Sequence, residues 1–60
     1  MIQELREQIT ATQERLTAAI EADHRHEAAR HRARLEDLIE MGRRHGIDVR
    51  DLVDRTLLNG

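Results

Sequence analysis

The chain must build a stable fold from sixty residues that include no cysteine and no aromatic side chain. A domain of this size buries only about 60% of the surface that its unfolded chain exposes, and small domains usually depend on disulfides, metal ions or association. Disulfides and thiolate metal sites are excluded because cysteine is absent. The sequence therefore predicts stabilisation by association, or by a metal bound through histidine and carboxylate groups.

Apolar residues recur at helical spacing along most of the chain. The first group is Ile2, Leu5, Ile9, Leu16 and Ile20, and the second is Leu35, Leu38 and Ile39. A spacing of eleven residues joins the two groups, which indicates a nearly straight or weakly right-handed helical bundle. No proline, and no glycine before Gly42, interrupts the pattern. We therefore predict an all-α protein whose main element is one long amphipathic helix over about residues 2–45.

A basic cluster and a glycine mark the end of the predicted long helix. Residues 43–45 place positive charge beside its last carbonyls, and Gly46 can adopt the left-handed conformation that follows a helix. Asp48 is a suitable N-cap for a short C-terminal helix over about residues 49–58. The sequence thus predicts a single helical domain over residues 1–60, with a corner at Gly46.

A turn in the middle of the chain is the structural alternative. Residues 21–26 could reverse the chain, with Asp23 capping the second of two helices of about twenty residues each. Two such hairpins could dimerise into a four-helix bundle. The lack of glycine, proline and asparagine in this segment favours the continuous helix.

Two apolar surfaces are candidates for association. The predicted association seam consists of Leu5, Ile9, Leu16, Ile20, Leu35 and Leu38. The second surface consists of Val49, Leu52, Val53 and Leu57. We expect the chain to form a homo-oligomeric coiled coil or helical bundle of two or more copies. Its function is expected to lie in protein–protein interaction, as an oligomerisation domain, an adaptor or a regulatory module that binds another helical protein.

Three polar residues interrupt the apolar stripe between Ile20 and Leu35, namely His24, Glu27 and His31. One helix cannot offer both histidines to one ion, because two turns separate them by about 10 Å. An antiparallel pair of chains would bring His24 of one copy near His31 of the other, a ligand set that suits a divalent transition metal. Without metal, protonation of stacked histidines would loosen the seam. The remaining alternative is that these side chains are solvated and set the register of the helices.

Arginine supplies all ten basic residues, and the net charge is −2. Arg25, Arg32 and Arg43 project from one outer face of the predicted helix and could follow a phosphate backbone. Glu36 on that face and the absence of aromatic stacking groups favour a solvated surface instead. An accessory role on nucleic acid is therefore a lesser alternative.

Catalysis and membrane insertion are not expected. The chain has no serine, cysteine, lysine or tyrosine and no glycine-rich phosphate loop. No apolar run approaches the roughly 20 residues that span a bilayer, and no signal peptide is visible. The sequence thus indicates a non-catalytic, soluble, cytoplasmic protein without a resident cofactor.

Overall fold

The computed structural model describes residues 2–49 and 51–54, and within them it contains two α-helices joined by a short turn. Helix α1 spans Ile2–Glu21 and helix α2 spans Arg25–Arg44. The all-α prediction is confirmed for these residues. The prediction of one continuous helix over residues 2–45 is wrong, because the chain reverses at residues 22–24 and forms the two helices of twenty residues that the alternative described.

The main-chain geometry of Asp23 ends α1. Its φ of 58° lies in the left-handed region. The His24 amide donates to the Ala19 carbonyl at 2.8 Å, and the Asp23 amide donates to the Ile20 carbonyl at 3.0 Å. These two bonds form the Schellman motif, which satisfies the last carbonyls of a helix. Aspartate reaches the left-handed region more readily than most residues, so glycine is not required. Asp23 does not cap α2, because His24 holds the N-cap position and makes no side-chain capping bond.

Helix α2 ends with the same motif built on glycine. Gly46 has a φ of 71°. The Ile47 amide donates to the Gly42 carbonyl at 2.8 Å, and the Gly46 amide donates to the Arg43 carbonyl at 3.1 Å. The prediction that Gly46 stops this helix is confirmed.

The hairpin interior consists of two rows of side chains, one from each helix, spaced alternately by four and three residues. The α1 row is Leu5, Ile9, Thr12, Leu16 and Ala19, all buried. The α2 row is Ala28, His31, Leu35, Leu38 and Gly42, all buried except the half-buried His31. Because the rows mirror each other about the turn, Ala19 lies at the level of Ala28 and Leu5 at the level of Gly42. The four-three spacing is typical of helices that pack at a shallow crossing angle.

The segment after α2 packs across the open end of the hairpin. The predicted short helix over residues 49–58 is not formed in the described part of that range, where the Leu52 amide donates to the Val49 carbonyl at 3.0 Å and closes a single turn. The proposed capping role of Asp48 therefore has no helix to act on there. A Cβ placed on Gly42 would lie 3.2 Å from both Leu5 Cδ2 and Val49 Cγ1. Glycine at position 42 thus leaves the space that Val49 fills.

We expect Asp23→Gly to stabilise the hairpin by about 1 kcal/mol, because glycine avoids the steric cost of a Cβ in the left-handed region. The lost Asp23–Arg25 ion pair joins two exposed side chains at 3.4 Å and should contribute little. Thermal unfolding followed by far-ultraviolet circular dichroism measures the change.

The matched control is Asp37→Gly, at an exposed position inside α2. There the same substitution should lower stability by about 1 kcal/mol, because glycine is a poor helix former. Equal losses in the two variants would contradict the turn geometry.

Candidate functional site

The predicted association seam forms the interior of the hairpin. Five of its six members are 0–6% exposed and pack between α1 and α2, namely Leu5, Ile9, Leu16, Leu35 and Leu38. Ile20 is 44% exposed. In a folded single chain, therefore, Ile20 is the seam residue that a partner can reach without opening the hairpin.

Residues of the second predicted surface pack against the same interior. Val49 is 4% exposed, while Leu52 and Val53 are partly buried against the core. Leu57 lies outside the described residues. The apolar side chains of Ile47, Val49, Leu52 and Val53 thus cover one flank of the hairpin and are not an open surface.

The side chain of Gln13 fastens this segment to α1. Its Nε2 donates to the Leu52 carbonyl at 2.7 Å, and its Oε1 accepts from the Asp54 amide at 2.6 Å. The amide thus pairs with the main chain at two points, as a neighbouring strand would. We call these two hydrogen bonds the Gln13 clamp. The sequence analysis did not identify the clamp, because nearly every residue carries the same main-chain donor and acceptor.

We expect Gln13→Leu to detach the segment from α1 while leaving both helices formed. Two hydrogen bonds are lost at a half-buried site, which should cost about 1–3 kcal/mol of local stability. Hydrogen exchange of the Asp54 amide, followed by nuclear magnetic resonance, should become faster. A suitable control is Glu14→Leu, one position along on the exposed surface, which should leave that rate unchanged. Unchanged exchange in both variants would show that the clamp does not hold the segment.

The histidine and carboxylate groups of the metal hypothesis come together only in part. His24 Nδ1 lies 3.4 Å from Glu27 Oε2, with side chains 60% and 55% exposed. His31 lies in the groove between the helices instead, beside Arg15 and Arg34. Across residues 2–49 and 51–54, no three histidine, aspartate or glutamate side chains are grouped so that they could hold a metal ion. Of the three residues in the polar break of the apolar stripe, His24 and Glu27 are exposed at or near the turn, whereas the half-buried His31 takes an interior position of α2.

Arg25 and Arg43, which were proposed to bind nucleic acid, are paired with acidic neighbours. Arg25 Nε lies 3.4 Å from Asp23 Oδ1. Arg43 Nε lies 3.3 Å from Glu40 Oε2. Arg32 is half-buried in a pocket near the turn. This arrangement fits a solvated surface of local ion pairs better than a continuous basic track.

A groove runs between the two helices on the flank that residues 47–49 and 51–54 leave open. Its lining includes Gln8, Ala11 and Arg15 from α1, with His31 and Arg34 from α2. Glu4, Glu7 and Thr12 complete it. Arg34 Nη2 donates to Gln8 Oε1 at 3.2 Å across the groove. We call the exposed surface around this groove the open face.

Among the side chains that the structure describes, two large apolar ones remain exposed after the hairpin closes. Ile20 lies near the turn, and Met41 near the opposite end is 41% exposed. Met41 follows Arg34 by seven residues and therefore projects from the same side of α2, beside the open face.

Within the described residues, neither α1 nor α2 is both long enough and apolar enough to cross a bilayer.

Comparison with known protein families, with curated proteins and with solved structures found no match.

We expect Leu16→Ala to cost about 2–5 kcal/mol of unfolding free energy, because the Leu16 side chain is 0% exposed. Ile20→Ala should cost clearly less, since Ile20 is 44% exposed. Both residues belong to the seam predicted from the sequence, so the pair separates the interior from the surface. Thermal or urea unfolding gives the two values. Similar losses would mean that Ile20 is buried in solution by something outside the described chain.

Proposed function

We propose that this protein is a non-catalytic helical interaction module, which works by packing its outer surface against another helical protein or another copy of itself. The observation that carries the proposal is the thinness of the hairpin interior. Only four large side chains among the described residues are fully buried, namely Ile9, Leu16, Leu35 and Leu38. Association is a usual means of stabilising a chain of this size.

The exposed apolar side chains support the same proposal. Ile20 and Met41 are 44% and 41% exposed, although the chain has few large apolar residues to spare. Their positions near opposite ends of the hairpin give two separate places where a partner could cover apolar area. Covering either side chain would stabilise the complex by about 25 cal/mol for every Å² of apolar surface removed from water.

Sedimentation equilibrium of the full chain at neutral pH, with a chelator present, tests the proposal. We expect the mass to rise above the 7.0 kDa of one chain as the concentration increases from about 10 µM to about 1 mM. Of the variants Ile20→Asp and Met41→Asp, at least one should weaken association, since each buries a charge in any interface that uses it. Ala29→Asp, at an exposed position on α2, is the control. A chain that stays monomeric throughout would overturn self-association as the mode of action.

Adding zinc to the same samples tests the metal-binding alternative, in which His24, Glu27 and His31 come together between chains. An increase in mass that requires zinc and is lost in His31→Ala would show that these residues form a metal site between chains. Metal binding would then replace the proposed function.

A further inference from the structure

The row of side chains that α1 presents to the open face has an acidic residue near one end, a basic residue near the other, and small or uncharged residues between them. It consists of Glu4, Gln8, Ala11 and Arg15, spaced by four, three and four residues, all of which line the groove. This is the same spacing as that of the buried row, so the residues form a second continuous stripe along the helix. Glu4 and Arg15 are the charged members of the stripe.

Neither of these charges has an opposite charge within reach on its own helix. Residues three and four positions from Arg15 are alanine or threonine, and those after Glu4 are Glu7 and Gln8. In the described chain neither residue takes part in an ion pair. The ion pairs that do form there involve Asp23, Glu27 and Glu40. The α1 stripe therefore carries one negative and one positive charge without an ion pair, eleven residues apart, whereas Glu7 and Arg34, which line the same groove, make side-chain hydrogen bonds to Gln3 and Gln8.

We propose that the open face binds a second copy of this chain in an antiparallel, two-fold symmetric dimer, in which Glu4 of each copy pairs with Arg15 of the other. The inference rests on the proposed interaction function and names its partner and its surface. A two-fold axis across the stripe, midway between Gln8 and Ala11, reverses the direction of α1 and forms both ion pairs at once. A parallel arrangement would instead place like charges opposite each other.

The centre of the stripe suits close packing of two helices. Ala11 is small and half-buried, and Gln8 is uncharged and already bonded to Arg34 across the groove. The exposed Met41 borders the same face and would be covered by the partner. The overall dimensions of 34 × 18 × 17 Å limit the buried area to the order of 1,000 Å² in total. That area predicts a weak, salt-sensitive dimer.

Charge reversal of each partner, followed by mixing, tests the arrangement. Glu4→Arg and Arg15→Glu should each weaken self-association by about tenfold or more at low salt, because two attractions become two repulsions. An equimolar mixture of the two variants should recover a dimer, since every pair across the interface is then attractive. Sedimentation equilibrium of each variant and of the mixture gives the association constants. Circular dichroism checks that each variant is still helical.

Matched controls reverse the same charges on other surfaces. Glu14→Arg lies on the exposed outer side of α1, and Arg25→Glu lies beside the turn with its side chain 91% exposed. Both should leave the association constant within about twofold of the unmodified chain, because their charges lie away from the interface.

The possible results separate the proposed face from the proposed function. A dimer that neither Glu4→Arg nor Arg15→Glu weakens would overturn this face and leave the interaction function standing. Weakened variants that do not recover on mixing would overturn the antiparallel pairing. An unmodified chain that remains monomeric at about 1 mM and low salt would overturn both the dimer and self-association as the function.

Discussion

The hairpin depends on one left-handed residue. If Asp23 had right-handed helical geometry, α1 would continue into α2, and the buried rows of both helices would face water along one long rod. Its positive φ instead turns the chain back, and the amides of Asp23 and His24 close the end of α1 on the carbonyls of Ile20 and Ala19. The backbone cost of this conformation is about 1–2 kcal/mol, which the apolar contacts between the two helices exceed.

The sizes of the core residues follow from the length of that turn. A connection of three residues holds the helices close together, and the level next to it is filled by Ala19 and Ala28, the smallest side chains that can still exclude water. Larger side chains fill the levels further away. At the open end, Leu5 faces Gly42, and the missing side chain of the glycine is replaced by Val49 from the following segment. The open end of the interior is therefore closed by a third stretch of chain.

Periodicity in the sequence was sufficient to predict the helical class, the glycine stop at Gly46 and five apolar residues that prove to be buried, although they were expected to face another chain: Leu5, Ile9, Leu16, Leu35 and Leu38. It did not reveal that the chain turns back. Five core positions are occupied by small or polar residues, namely Thr12, Ala19, Ala28, His31 and Gly42. The four-three pattern is therefore incomplete when only large apolar residues are counted. The eleven-residue spacing that joined Leu16 to Leu38 crosses the turn and has no structural counterpart.

The candidate surfaces were predictable only in part, for a related reason. The residues that make good interfaces also make good interiors, and Leu5 or Leu35 cannot show from the sequence whether it is covered by its own chain or by another. Whether a side chain is covered by its own chain depends on how the chain folds back, and here that depends on the backbone conformation of Asp23. The ion pairs of Arg25 with Asp23 and of Arg43 with Glu40 join near neighbours in the sequence, but the sequence analysis did not identify either pair.

The clamp made by Gln13 has a consequence for how this chain can vary. Because both of its bonds go to peptide groups, at the Leu52 carbonyl and the Asp54 amide, they do not depend on the side chains at those two positions. The clamp itself needs only the amide hydrogen at position 54, so proline is the one substitution there that removes this bond. Position 13 is more tightly constrained, because few side chains offer a hydrogen-bond donor and an acceptor in one plane. The clamp therefore restricts the residue type at position 13 far more than at position 54, although both belong to the same contact.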